Sequence, residues 1–111
     1  MAKYALLFFN DESFRDRSKD EVDAVYAEIT RWSEDLQRKG VLKGGLELQS
    51  KGTAMTVRRV NGGMRVFDGP FIESKEHVGG FAMIEVPDLD EAIRVAKAFP
   101  GGIEIRPIVE H

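Results

Sequence analysis

The chain has 111 residues, of which 42% are hydrophobic and 32% charged, with a formal net charge of −3. This profile fits one soluble domain spanning residues 1–111 and excludes a wholly disordered chain. Because the chain has no cysteine, disulfides, thiolate nucleophiles, Cys-ligated zinc and iron–sulfur clusters are excluded. Its charges are mixed, and no apolar run approaches the roughly 20 residues of a membrane span. We therefore predict a cytoplasmic protein with no nucleic-acid and no membrane partner.

The first third of the chain predicts a strand followed by a long helix. Residues 4–9 form a short apolar run, typical of a central strand that is buried on both faces. After a polar loop, Ser18 and Glu21 form a capping-box pattern that predicts a helix start. Gly40 predicts the left-handed residue that ends this helix. The apolar positions that follow at helical spacing are Val22, Val25, Tyr26, Ile29, Trp32 and Leu36.

The middle of the chain predicts short strands and a hairpin. Residues 46–48 are typical of a short strand, and residues 54–60 and 64–67 of two more. Asn61-Gly62-Gly63 lies between the last two and is a strong hairpin signal. Asp68-Gly69-Pro70 then has the composition of a turn.

The last third predicts a loop, a strand, a helix and a final strand. We expect residues 71–80 to form a loop with one helical turn at residues 74–77, and residues 81–86 to form a strand. Asp88 and Glu91 make a second capping box, and residues 103–109 form the last strand. The predicted apolar stripe of the second helix contains Leu89, Ala92, Ile93, Ala96 and Phe99.

The resulting order, β-α-β-β-β-β-α-β, predicts an α+β domain with a ferredoxin-like βαββαβ plan and an extra hairpin. Two helices cover only one face of such a sheet. Yet residues 5–9 place large apolar groups on both faces, and only Glu85 is charged within residues 81–86. We expect a homodimer that buries the second face, the alternative being that loops of the same chain cover it.

Residues 66–81 read VFDGPFIESKEHVGGF. They closely resemble the signature of DGPF-domain, YciI-related (YCII) proteins, which runs roughly DGPF-x-E-x-K-E-x-x-GGF. Residues 56–58, 88–92 and 104–107 also look like family segments. The resemblance implies a dimeric α/β-barrel of ferredoxin-like subunits whose activity is largely unassigned. YciI itself is thought to use a His–Asp pair with the histidine on the first helix, where this chain carries Ile29 and Trp32 instead.

Asp68 heads the motif and is the first candidate for catalysis or ligand binding. At a strand end, its carboxylate could accept a proton or hold a ligand. The alternative is that Asp68 only bonds the backbone of its own turn, as Asp before Gly-Pro often does. Arg58, in the preceding strand, needs a carboxylate partner or an anionic ligand if it is buried. Asp68 and Glu47 are its candidate partners.

His77 is the second catalytic candidate, because its titration range suits acid–base chemistry. The alternative is that the His77 side chain is solvated in a charged loop and has no catalytic role. Glu73 lies in the same loop and could bind a ligand or form surface ion pairs. Gly79-Gly80 is followed by a strand, so it is not a phosphate-binding loop. No metal-ligand spacing is present, and we predict no metal and no cofactor.

Three functions remain open at this point. The first is a small-molecule-binding or regulatory module, with a pocket anchored by Arg58 and Asp68. The second is a cofactor-free enzyme of the isomerase, lyase or oxygenase type, with Asp68 or His77 as the base and Arg58 steadying an anionic intermediate. The third is a partner-binding protein without a pocket. The aromatic residues expected to line the pocket are Tyr4, Phe8, Trp32, Phe67, Phe71 and Phe81.

Overall fold

The computed structural model describes residues 1–11, 16–72 and 76–111, apart from the side chain of Asp11. In this part of the chain the predicted order of strands and helices is confirmed. The elements are β1 (Ala2–Asp11), α1 (Lys19–Arg38), β2 (Leu42–Glu47), β3 (Met55–Val60), β4 (Gly63–Asp68), β5 (Glu76–Val86), α2 (Leu89–Lys97) and β6 (Gly102–Pro107), with a 3₁₀ turn at Lys51–Thr53.

Four strands form an antiparallel sheet in the order β2-β5-β1-β6. This is the strand order of the ferredoxin-like plan, since each helix connects two strands that lie on either side of a third. Strands β3 and β4 pair only with each other, as a separate two-stranded sheet. The predicted α+β, ferredoxin-like fold with an extra hairpin is therefore confirmed.

Local sequence signals set both ends of α1 and the start of α2. The backbone N–H of Glu21 donates to the Ser18 hydroxyl at 3.2 Å, and that hydroxyl donates to the Glu21 carboxylate at 3.1 Å. Gly40 follows with a φ of 73°, as predicted. At α2, Asp88 caps Glu91 at 2.9 Å. The Glu91 carboxylate pairs with Arg94 instead of reaching back to Asp88, so this capping box is only half formed.

Both helices pack on one face of the sheet. Trp32 joins them, because its indole N–H donates to the carbonyl of Val95 at 3.0 Å. The Trp32 ring also packs against Phe8 and Phe99. The predicted stripe of α2 was partly wrong: Ala92 and Val95 are its buried residues, and Ile93 is exposed. The buried apolar residues of the core are Tyr4, Leu6, Trp32, Leu36, Ala82, Ile84, Val86, Ala92 and Val95.

Neither α1 nor α2 lies on the opposite side of the sheet, which we call the open face. Its apolar residues are Ala5, Leu7, Leu46, Phe81 and Met83, which the strand registers place side by side. Leu46 is 67% exposed and Phe81 is 42% exposed. The prediction that β1 is buried on both faces therefore holds in one protomer only for the helix side, where Tyr4 and Leu6 lie.

Strands β3 and β4 form a hairpin that we call the arm. Its tip has a φ of 50° at Asn61 and 81° at Gly62, as a two-residue hairpin turn of the primed type requires. The arm residues Met55, Val57, Met64 and Val66 are 55 to 63% exposed. No strand of the four-stranded sheet pairs with the arm in the described chain.

The chain is flat, with extents of 47 × 44 × 18 Å, and its radius of gyration is 16.2 Å. A compact chain of this length has a radius of gyration of roughly 13 Å. The accessible surface is 8139 Å², about 2,000 Å² more than the roughly 6,200 Å² expected for a compact monomer of this mass. None of the helices in the described ranges is long and apolar enough to cross a membrane.

Candidate functional site

The turn at residues 68–71 is tied to the base of the arm. Gly69 has a φ of 99°, in the left-handed region that favours glycine. Its N–H donates to the carbonyl of Ala54 at 2.8 Å. Its carbonyl accepts a hydrogen bond from the hydroxyl of Thr56 at 2.7 Å, and Thr56 is buried. These bonds fix the direction in which the chain leaves the arm, so Pro70 and Phe71 turn back along it.

Arg58 holds Phe71 in place. Its guanidinium donates to the carbonyl of Phe71 at 2.9 Å and lies 3.7 Å from the centre of the Phe71 ring. The predicted pairing of Arg58 with Asp68 or Glu47 is not formed. Glu47 instead accepts a hydrogen bond from the hydroxyl of Tyr26 at 2.5 Å.

Asp68 lies on the other side of the arm from Arg58. It stands opposite Met55, while Arg58 stands opposite Arg65, and adjacent positions of a strand face opposite ways. The Asp68 side chain is exposed and makes no hydrogen bond or ion pair within the described residues. Asp68 therefore neither converges with Arg58 nor bonds the backbone of its own turn.

The first residues of β5 lie beside the base of the arm. β5 begins at Glu76, so His77 lies in a strand and not in the predicted loop. Phe8 pairs with Gly80 and Phe9 with Val78, which leaves Gly79 unpaired as a bulge. β1 extends to Asp11, beyond its predicted end at Phe9, and its last residues pair with the first residues of β5. A Cβ on Gly80 would lie 2.8 Å from the carbonyl oxygen of Leu46, so only glycine allows β2 to approach this closely.

These elements enclose a groove of about 620 Å³. His77 lines this groove and carries a buried polar atom. Its Nδ1 atom is buried and has no hydrogen-bond partner within the described chain. The lining residues are Phe9, Leu48, Gln49, Ser50, Lys51, Thr53, Ala54, Pro70, Phe71, Ile72, Glu76, His77 and Val78.

A second, smaller groove of about 410 Å³ lies next to the first. Phe9 and Glu76 line both. The smaller groove is completed by Asn10 and by Gly102, Ile103 and Glu104 of β6. Among the described residues, no group of three or more acidic or histidine side chains is arranged to hold a metal ion.

Of the residues proposed from the sequence, the structure brings Phe71 and His77 into the larger groove. Arg58 supports Phe71 from the arm. Phe81 lies on the open face, and Trp32 lies in the core on the helix side, so these two do not line one pocket within a protomer. Glu73 lies outside the described residues.

Sequence reasoning missed the wall of the groove formed by residues 48–54. This segment carries no motif, since it contains only small, polar and scattered apolar residues. The pairing of strands is the one feature from which this wall could have been predicted. β2 pairs with β5, and the N–H of Leu48 donates to the carbonyl of Gly79 at 2.8 Å. The residues that continue from β2 must therefore lie beside the start of β5.

Two comparisons with known proteins bear on this arrangement. A family model described as the YCII-related domain matches residues 2–111. An uncharacterized protein of Rhizobium meliloti (strain 1021) is 38% identical over 116 residues, covering 95% of this chain and 90% of that protein. Both matches include the turn at residues 68–71, the start of β5 and the arm.

Proposed function

The chain belongs to the YCII-related family, and from this premise we propose that it is a homodimeric protein that binds a small organic molecule in the larger groove. The observation that carries the proposal is the buried Nδ1 of His77, which lacks a hydrogen-bond partner in the described chain. Buried polar atoms in proteins are nearly always paired, and leaving one unpaired costs about 1–3 kcal/mol. A ligand in the groove that His77 lines would supply the missing partner.

The dimensions and lining of the groove fit such a ligand. A volume of about 620 Å³ lies within the usual range of small-molecule sites. Leu48, Phe71, Ile72 and Val78 supply apolar contact surface, and His77 supplies a hydrogen-bonding position at one wall. The ligand class that suits this arrangement is a small organic molecule with an apolar body and one polar group.

A cofactor-free enzyme has less support from the geometry. That mechanism requires a base and a cation at one point, and Asp68 and Arg58 lie on opposite sides of the arm. Arg58 is also engaged with the carbonyl and ring of Phe71. We therefore assign His77 the role of a ligand-binding residue and Arg58 that of a residue that positions Phe71.

The proposed homodimer rests on the open face. Leu46 and Phe81 are large apolar side chains that stand side by side on it, and the described residues leave both partly exposed. A standard interface removes roughly 800 Å² of surface from each partner, and obligate homodimers bury more. The surface excess of about 2,000 Å² per chain is therefore in the range that an extensive homodimer buries. Two-fold pairing is the commonest way to cover such a face.

The test of the ligand proposal is a thermal-shift screen of small organic acids, alcohols and amines. A compound present at 100 times its dissociation constant adds about 2.7 kcal/mol to the free energy of unfolding, which raises Tm by several degrees. We expect at least one such compound to stabilise the native protein and to lose its effect in His77→Phe, which keeps an aromatic ring but removes both nitrogens.

His111→Phe is the matched control, because His111 is an exposed residue at the end of the chain. It should bind the same compounds as the native protein. The ligand proposal is wrong if no compound stabilises the native protein, or if every stabilising compound acts equally on His77→Phe.

A further inference from the structure

The apolar side of the arm is left exposed by the residues that the structure describes. Met55, Val57, Met64 and Val66 share this side because they alternate along β3 and β4 and pair across them. We call these four residues the apolar arm face. A two-stranded hairpin is only marginally stable by itself in water, and more than half of the surface of each of these side chains is exposed. The arm therefore lacks a partner among the described residues of its own chain.

Opposite charges mark the two ends of the same face. Arg59 pairs with Met64 near the tip, and Asp68 pairs with Met55 at the base, so both point to the side of the apolar arm face. Neither side chain makes an ion pair or hydrogen bond within the part of the chain that the structure describes. The face thus has three layers: Arg59 beside Met64, then Val57 beside Val66, then Met55 beside Asp68.

This pattern is complementary to itself. The Val57–Val66 pair lies at the centre, and Arg59 and Asp68 lie about 6.8 Å to either side of it along the strands. Two copies that meet face to face around a two-fold axis across the strands bring the tip of each arm over the base of the other. Arg59 of one copy then lies in the same layer as Asp68 of the partner subunit, while the apolar side chains meet between them. A two-fold axis along the strands would instead stack like charges in one layer.

We propose that the apolar arm face binds the same face of a second copy of this chain, in an antiparallel two-fold arrangement that pairs Arg59 with Asp68 of the partner subunit. A second copy is favoured over an unrelated protein because one surface carries both halves of the charge pattern, as an isologous interface requires. It also buries part of the roughly 2,000 Å² by which the surface exceeds that of a compact monomer.

The arm contact affects the larger groove, because the two share a segment of chain. Asp68 directly precedes Gly69, Pro70 and Phe71, and the last two form one wall of that groove. Anchoring Asp68 on a second copy fixes the position of this wall relative to β5. Assembly through the arm therefore restrains this wall of a groove that a single chain already encloses.

A charge-reversal cycle tests the arm contact. The native chain, Arg59→Asp, Asp68→Arg and the double variant are compared by sedimentation equilibrium at low salt. Each single change replaces two symmetric ion pairs with two like-charge contacts, so we expect the dissociation constant to rise roughly 5- to 30-fold. The double variant restores opposite charges and should return to within about three-fold of the native value.

Arg65→Asp is the matched control, because Arg65 lies on the other side of the arm, opposite Arg58. It should leave the dissociation constant unchanged. Phe81→Lys separates the arm contact from the open face. If the open face and the apolar arm face bind different copies, either Phe81→Lys or Arg59→Asp halves the mass of the native assembly. If both faces bind the same copy, each variant raises the dissociation constant of that single dimer.

The proposal is overturned if the single charge reversals leave mass and dissociation constant unchanged, if the double variant does not recover, or if Arg65→Asp weakens assembly as much as Arg59→Asp. Partner binding through the outer edges of the arm strands would give the first of these outcomes, because backbone pairing does not depend on these charges. In each case the ligand proposal for the groove still stands or fails on the His77 screen alone.

Discussion

The four-stranded sheet and the arm are built from similar apolar residues but differ in how those residues are used. Leu6 and Ile84 are fully buried beneath the two helices, whereas Val57 and Val66 stand mostly in solvent on a hairpin of two strands. Strands β5 and β1 are each paired on both sides, and those of the arm on one side only. The difference shows that apolar content does not by itself report folding stability, because the sheet buries its apolar residues in a core and the described chain leaves those of the arm exposed.

The sharpest way to break this comparison is to truncate one side chain in each region. We expect Leu6→Ala to lower the free energy of unfolding by about 2–5 kcal/mol, because it opens a cavity in the core. Val57→Ala should change it by less than about 0.5 kcal/mol at protein concentrations where the chain is monomeric. Urea titration followed by the fluorescence of Trp32, the single tryptophan, measures both.

The two regions would not differ as described if Val57→Ala cost as much as Leu6→Ala in the monomer. A growing cost of Val57→Ala as the protein concentration rises would instead support the arm contact, since assembly adds to the stability of the native state.

A second pair of variants sharpens the account of how β2 reaches the start of β5. Gly80→Ala places a Cβ 2.8 Å from the carbonyl oxygen of Leu46, a backbone atom that cannot rotate away. We expect a loss of about 1–3 kcal/mol in the free energy of unfolding, as for other overpacked sites. Gly44→Ala is the control in the same pair of strands, because no atom lies within 4 Å of its Cβ position.

Urea denaturation of both glycine variants gives the result directly. Equal stabilities for the two variants would contradict the claim that Gly80 is required by close approach. A loss of ligand binding in Gly80→Ala with little loss of stability would place its effect in the groove.

The smallest expected effect concerns the contact between α1 and β2. The Tyr26 hydroxyl donates to the Glu47 carboxylate, and this hydrogen bond raises the pKa of Tyr26 above its ordinary value of 10.0. The protonated phenol therefore contributes stability below pH 10.0, and the contribution is lost as the pH rises through the raised pKa.

Absorbance at 295 nm follows the ionisation of the tyrosines, and the difference between the native protein and Tyr26→Phe isolates the titration of Tyr26. In Glu47→Gln we expect this pKa to fall toward 10.0. Glu28→Gln, on an exposed turn of α1, should leave it unchanged. An unaltered pKa in Glu47→Gln would rule out the negative charge of the Glu47 carboxylate as a cause.

The sequence predicted the elements well where a local signal acts alone. Ser18 and Asp88 cap the helices through contacts three residues away, and Asn61-Gly62 adopts the positive φ angles that its hairpin needs. The order of the elements and the ferredoxin-like plan follow from such signals. The family also followed from the sequence, because residues 66–81 form a long and specific motif.

Prediction failed where the outcome depends on contacts far apart in the chain. The sequence offers Asp68 and Glu47 as candidate partners of Arg58, but Arg58 donates to the carbonyl of Phe71, and Glu47 accepts from Tyr26. The predicted stripe of α2 was right at Ala92 but missed the buried Val95 and included the exposed Ile93. The sequence predicts a loop at His77. The structure has a strand there, because β1 is long enough to pair with the first residues of β5. No periodicity in the sequence reports these contacts.

The place where the arm joins the sheet has a consequence for how this fold tolerates change. Glu47 lies opposite Gly80, and Leu48 still bonds Gly79, so the chain departs from the sheet and re-enters it at adjacent positions. The four-stranded sheet, in the order β2-β5-β1-β6, is complete without any strand from residues 55–68. We expect hairpins of other lengths to be accommodated there without a change in the order of the sheet strands, which makes the arm a position for grafting a new binding segment onto the same sheet.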